Sequence, residues 1–224
     1  MPLPRKPAAV VFDMDGLIFD TEALYQEAML EVAAQAGVIV TKSLFLNMVG
    51  RPWVVNRHFL LDHFGPDFAV DAFGTAWWEQ FARMAPTRLA LKTGVLDLLD
   101  ILDMMRLPRA IATSSQLHSV HHHLAMFELA HRFDTIVAHG DTARGKPDPD
   151  PYLLAAERLG VEPGLCLALE DSHNGVRSAS SAGMMTIMVP DLLPPTDQIR
   201  GLCVSVATDL TVVGQLLTGS RSGQ

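Results

Sequence analysis

The chain has 224 residues, 49% of them apolar, a formal net charge of −8 and four lysines, Lys6, Lys42, Lys92 and Lys146. That balance excludes a nucleic-acid or anionic-membrane binder working through a basic patch, and it leaves room for a small anionic substrate held by one or two placed cations. No apolar run approaches the roughly 18 residues that read as a membrane span.

The first apolar stretch is too short for a signal peptide and runs into acids. Cys166 and Cys203 lie in LCLAL and LCVSV without CxxC spacing, as expected of buried thiols in a reducing compartment. A soluble cytoplasmic protein is expected, long enough for one core or a core plus a small satellite domain.

Taken in chain order, residues 8–13 read as a buried strand bounded by Pro7 and the Asp-Gly turn. A helix follows, with Asp20 at its cap, an apolar stripe of Leu24, Ala28, Val32 and Ala36, and a stop at Gly37. Residues 41–86 read as several short helices broken at Gly50, Pro52 and Gly65-Pro66. After Lys92 the rhythm changes. A helix over 94–106 leads to the strand RAIAT (109–113), a histidine-rich helix and the strand FDTIVA (133–138). Then come a helix over 150–160, the strand GLCLALED (164–171), a helix over 174–183 and the strand MMTIMVP (184–190). This alternation predicts an α/β fold, a doubly wound parallel sheet with helices on both faces. The all-helical stretch reads as an inserted cap over 18–88, which leaves 1–17 and 89–224 as the core domain.

Open α/β sheets bind ligands at the carboxyl ends of their strands. That rule collects Asp13, Asp15, Thr113, Ser114, Glu170 and Asp171, with Lys146 just ahead of the helix that begins near Pro149. Asp13 and Asp15 face the same way if the extended form persists. Carboxylates at such quarters repel, by about 4 kcal/mol per pair at 4 Å and an effective dielectric of 20. Protonation relieves that, and so does a divalent cation. An all-oxygen site with room for water suits Mg²⁺, whereas the lack of thiolates makes zinc a poor fit. Lys146, the Thr113 hydroxyl and the Ser114 backbone N–H offer donors to an anion. Acids, a metal and anion donors together describe phosphoryl transfer. A carboxylate such as Asp13 can attack phosphorus while Asp15 moves protons.

DMDG at 13–16, Thr113 in IATSS, Lys146 in GKPDPDPY and LEDSHNGV at 169–176 occur in the order of the four motifs of the haloacid dehalogenase (HAD) superfamily, which the chain resembles over roughly 8–190. The resemblance implies that Asp13 is the nucleophile and a Mg²⁺ ligand. It makes Asp15 the general acid/base, with its backbone carbonyl on the metal. Thr113 and Lys146 would hold the phosphoryl group, Asp171 would ligate Mg²⁺, and Glu170 would support that site directly or through water. Gly16 would permit the sharp exit toward the cap. Within the superfamily the chain is most similar to the β-phosphoglucomutase-like branch, which includes sugar-phosphate phosphatases. Its mutases carry a histidine twelve residues after the nucleophile and a cap lysine for a second phosphate; here Tyr25 stands at that position and Lys42 is the one lysine of the cap.

The expected function is therefore Mg²⁺-dependent hydrolysis of a small phosphorylated metabolite, a sugar phosphate, through an aspartyl-phosphate, by a monomer or homodimer with no nucleic-acid or membrane partner. Cap closure would exclude bulk water and admit the substrate. The competing readings are a sugar phosphomutase and a non-catalytic binding protein on the same fold. Arg51, in VGRPW, and Tyr25 are cap candidates for substrate contact, each with a plain surface or packing role as the alternative. His121, His122 and His123 cannot share one ion from adjacent helical positions and are expected on a solvated or groove-lining face. Trp53, Trp77 and Trp78 are expected in the cap core, and Glu170-Asp171 at the cap of the helix that follows them.

Overall fold

In the computed structural model, which describes residues 3–51 and 53–219, the runs AVVF, RAIA, CLALE and MTIM form strands in which every residue is buried. Such continuous apolar runs are what a parallel sheet covered on both faces requires. The chain divides into two units, one made of the residues up to Phe19 together with those from Leu91 onward, the other spanning Asp20–Ala90. The first unit holds a six-stranded sheet built from β1 (Ala9–Phe12), β2 (Arg109–Ala112), β3 (Thr135–Val137), β4 (Cys166–Glu170), β5 (Met185–Met188) and β6 (Ser205–Val206). Its strand order is β3-β2-β1-β4-β5-β6, and every pairing is parallel. Phe12 stands level with Ile111 on one side and Leu169 on the other, so β1 is central and the order reverses there. The crevice at such a reversal is where open α/β sheets bind ligands.

The second unit is all helix among its described residues: α1 (Thr21–Gln35), α2 (Lys42–Leu46), α3 (Trp53–Phe64) and α4 (Val70–Arg88). Leu24, Ala28 and Val32 are buried on α1, whereas Ala36 is exposed because the helix has already ended. Asp20 holds the N-cap position without a side-chain cap bond, contrary to the capping expected of it. Thr41 does cap α2, its hydroxyl accepting from the Leu44 N–H. Phe73, Phe81 and Met84 on α4 pack their unit's core, and α4 continues past Pro86 to Arg88.

The remaining helices flank the sheet: α5 (Val95–Met105), α6 (Leu117–Met126), α7 (Asp150–Leu159), α8 (His173–Ser181), α9 (Asp197–Leu202) and α10 (Leu210–Thr218). One sheet face is lined with small residues, Ala9, Val11, Ala110, Ala112 and Ala168, which pack with Tyr152, Ala155 and Ala156 of α7 and Ala179 of α8. Alternate positions, Val10, Phe12, Ile111 and Leu169, point the other way. The cap of α8 is Ser172, whose hydroxyl accepts from the Gly175 N–H at 3.0 Å, so Glu170 and Asp171 do not cap that helix as expected. Past the last expected strand the chain adds α9, the short edge strand β6 and α10. None of the described helices is long and apolar enough to cross a membrane. Leu102 on α5 is fully buried. Leu102→Ala is expected to lower unfolding free energy by about 2–5 kcal/mol in urea titrations, from lost transfer energy plus the cavity left behind.

Candidate active site

Three neighbouring strands end in polar residues, and the parallel register brings those ends level. The Asp13 N–H donates to Leu169 O at 2.9 Å, which fixes the end of β1 against β4. Gly16, at φ +81, then turns the chain. A Cβ at Gly16 would stand 2.4 Å from Asp171 Oδ2, so both the backbone conformation and the close approach of that carboxylate demand glycine. Asp13, Glu170 and Asp171 are all buried, and each offers a carboxylate oxygen within 4.8 Å of the others.

Lys146 binds this cluster together. Its ammonium donates to Asp13 Oδ1 at 2.5 Å and to Glu170 Oε1 at 2.6 Å, with the side chain 6% exposed. Glu170 is satisfied at both oxygens. Oε1 also accepts from the Tyr152 hydroxyl at 2.7 Å, and Oε2 accepts from the Ser172 N–H at 3.1 Å and its hydroxyl at 3.0 Å. Gly175 is required beneath it, because a Cβ there would lie 1.7 Å from Glu170 Oε1. A carboxylate with this complement orients its neighbours and has little capacity left to bind an ion itself.

Burial pushes the Asp13 carboxyl up to about 8, with Glu170 and Asp15 adding to the rise and Lys146 opposing it. Burial alone would lower Lys146, but the carboxylates of Asp13 and Glu170 outweigh it and hold the ammonium above its ordinary range. Tyr152 is raised well above 10.0 by burial and then by Glu170, so it stays a hydroxyl donor. When all three acids are ionised, one ammonium leaves a buried surplus of negative charge, which a divalent cation would neutralise in full; without one, the raised Asp13 carboxyl relieves it by holding its proton. The donor set fits such an ion: the three clustered groups offer oxygens only, as hard divalent cations prefer. Cys166 begins β4 at the end of that strand away from Glu170, and its thiol, pushed by burial up to about 11, supplies no thiolate.

The sequence pattern of the haloacid dehalogenase-like hydrolases matches residues 7–183, from just before β1 to just beyond α8. The chain belongs to that family. It is 35% identical over 179 residues to the phosphorylated carbohydrates phosphatase of Thermotoga maritima, covering 80% of this chain and 83% of the relative. Hexitol phosphatase B of Escherichia coli K12 is 32% identical over 198 residues, 85% of this chain and 86% of the relative. Among solved structures, CbbY from Rhodobacter sphaeroides in complex with phosphate matches with a TM-score of 0.77 at 27% identity, covering 93% of this chain and 96% of that one.

Around the cluster, the HAD-like hydrolase places further polar groups. The carboxylate of Asp15 lies outside the three-acid cluster; its Oδ2 accepts from the Ser115 hydroxyl at 2.6 Å, and its Oδ1 is buried without a hydrogen-bond partner. Thr113 is buried, with its hydroxyl accepting from the Ser115 N–H at 3.0 Å, while Ser114 is exposed. Ser115, Tyr152 and Ser172 are thus site residues that the sequence reading missed. All three stand inside quoted runs, Ser115 in IATSS, Tyr152 in GKPDPDPY and Ser172 in LEDSHNGV, and that proximity is the local signal available for them.

The histidine run splits: His121 and His122 are exposed, but His123 is buried, its ring edge-on to Phe19 at 5.6 Å, so it is not on a solvated face. Burial lowers its proton affinity, and His122 adds to that while Asp15 opposes it.

Arg51 and Tyr25 both line a cavity of about 670 Å³ in the helical unit. Tyr25 stacks on Phe81 at 3.9 Å, and the Arg51 guanidinium lies 6.0 Å over the Phe59 ring. The tryptophans correct expectation too. Trp77 is half-buried, donating its indole N–H to Tyr25 O at 2.8 Å, but Trp53 and Trp78 are exposed cavity walls and not core.

Two measurements follow from these contacts. Tyr152→Phe removes one donor from a fully buried carboxylate and is expected to cost about 1–3 kcal/mol of unfolding free energy. His123 binds a proton more readily unfolded, near 6.5, than folded, so its contribution is present above that pH and lost as pH falls through it. His123→Phe should therefore gain on the parent in thermal midpoint as pH drops from 7.5 to 5.5.

Proposed function

We propose that this HAD-like hydrolase is a Mg²⁺-dependent phosphatase acting on a small phosphomonoester, a sugar phosphate, through an aspartyl-phosphate on Asp13. The observation that carries the reading is the Lys146 ammonium bonded to both Asp13 and Glu170, with Asp171 in the same cluster. With all three acids ionised, as a nucleophilic Asp13 requires, one cation leaves two negative charges, which a divalent ion would balance. In this reading Asp13, Asp171 and the Asp15 carbonyl hold Mg²⁺, and Glu170 stands behind them. When bound, the ion offsets the negative charge and polarises a phosphoryl oxygen.

The chain's own groups carry the steps. A carboxylate oxygen of Asp13 bonds to phosphorus as the ester P–O bond breaks, and the departing oxygen takes the proton held by Asp15. The Ser115 hydroxyl pins one Asp15 oxygen and leaves Oδ1 as the seat of that proton. Water then gives a proton back to Asp15 and attacks phosphorus; the bond to Asp13 breaks and inorganic phosphate leaves. Lys146, the Thr113 hydroxyl and the Ser114 N–H hold phosphoryl oxygens during both steps.

Tyr25 and Arg51, both on the wall of a cavity within the helical unit, are the candidate contacts for the organic part of the substrate. Glu22 and Glu79 line that cavity together with Asp71, whose two oxygens are held by Arg57, and Arg51 is the one cation among its described lining residues. Acids that accept from hydroxyls, beside indole faces, favour a neutral polyol over a second phosphate. The names of the two phosphatase relatives, one for phosphorylated carbohydrates and one for hexitol, support a sugar or polyol phosphate. The reading places the enzyme in the cytoplasm with a metabolite as its partner, and both cysteines are free thiols, as such a compartment allows.

A screen of sugar phosphates, phosphoglycolate and nucleoside monophosphates, with and without Mg²⁺, tests the proposal. Phosphate release that needs Mg²⁺ and vanishes in Asp13→Asn, with the circular dichroism spectrum unchanged, is the expected outcome. Turnover that survives in that variant would remove Asp13 as nucleophile, and an isomeric sugar phosphate in place of free phosphate would mark a mutase.

A further inference from the structure

Beyond β5, at the same carboxyl rim, the loop PDLLPP brings in an acid that neither the sequence reading nor the reaction above uses. Asp191 is 9% exposed at its side chain. Its Oδ1 accepts from the Lys92 ammonium at 2.7 Å, while Oδ2 is buried and has no hydrogen-bond partner. A carboxylate oxygen shut away from water without a donor costs about 1–3 kcal/mol or more, so its retention calls for a missing donor. A lysine clamp holding a loop needs only one of the two oxygens and gains nothing from burying the other.

The surroundings identify that donor. Gly16 has no side chain, and the point its Cβ would occupy lies 3.2 Å from Asp191 Oδ2 and 2.4 Å from Asp171 Oδ2. Both oxygens lie beside that one point, so they are no farther apart than one bridging water spans. Mg²⁺ keeps several of its waters, and ion-bound water is a strong donor to an outer carboxylate. We infer that Asp191 is a positioning residue of the metal site, held by Lys92 so that Oδ2 accepts a hydrogen bond from a water on the ion that Asp171 ligates. This rests on the Mg²⁺ reading above. Gly16 thereby has a second role: it clears the space in which carboxylates from the loops after β4 and β5 meet one water.

The test is calorimetric titration of Mg²⁺ into metal-free protein without substrate. Asp191→Asn keeps the shape and can still accept from Lys92, but it replaces the second acceptor with a donor. It should weaken Mg²⁺ binding about tenfold or more, the range seen when outer partners of metal ligands are removed. Its thermal midpoint in chelator should stay close to the parent's, because the loss of the ion pair with Lys92 is offset by removal of the buried oxygen that had no donor. Lys92→Gln leaves Asp191 in place but unanchored and should also weaken binding, which keeps the inference open to refutation if the first variant fails to fold. Affinities within twofold of the parent in the variants that fold would overturn the role of Asp191 alone. A parent protein that takes up no Mg²⁺ would overturn the metal reading and this inference with it.

Discussion

One buried ammonium organises the catalytic unit. Lys146 lies between Asp13 and Glu170, and the surrounding structure can be read as the means of keeping it there. Glu170 is held in turn by Tyr152 from α7 and by Ser172 at the start of α8, so two helices on the small-residue face of the sheet serve one carboxylate. The alanines of that face let those helices approach closely enough for the Tyr152 hydroxyl to reach the strand end. Gly175 is the other half of the arrangement, since any side chain there would displace the carboxylate. Packing and charge are therefore coupled. A change in helix-to-sheet distance would be felt as a change in the orientation of Lys146.

The same cluster is strained electrostatically, and that strain suits its chemistry. Burial raises the proton affinity of Asp13, the nucleophile we propose, and the positive charge of Lys146 works against that rise. Stability is sacrificed locally at a site that regains it when a cation and a phosphoryl group arrive. Asp191, with one oxygen paired and the other partnerless, repeats this pattern at a smaller scale on the far side of Gly16.

Much of this was legible in the chain itself. Apolar runs ending in acids or hydroxyls marked β1, β2 and β4, because a buried strand tolerates carboxylates only at its exposed end or beside a cation. The helical insertion showed as a break in the strand–helix rhythm. What stayed hidden depends on which distant residues the fold brings together. Tyr152 reads as an ordinary apolar position of an amphipathic helix, and only the packing of α7 turns its hydroxyl toward Glu170. Lys92 and Asp191 are 99 residues apart, each unremarkable in its local setting. His121 and His123 differ by two positions yet fall on opposite sides of exposure, which depends on where α6 rests and on the ring of Phe19. Trp53 is expected in the cap core from the sequence. Its indole in fact lies against Gly74, where a Cβ would come within 2.4 Å of the ring, and part of it stays in solvent as a cavity wall.

The placement of β1 also bears on how the molecule is made. This strand leaves the ribosome early, yet Val10 pairs with Arg109 on one side and Leu167 on the other, so both its hydrogen-bonding edges stay unfilled until much later segments emerge. The Asp20–Ala90 unit is continuous in sequence and can complete itself during that wait. The acids of the cluster therefore meet only after β4 has been synthesised, and the nascent chain is spared a concentrated buried charge until the helices that shield it exist.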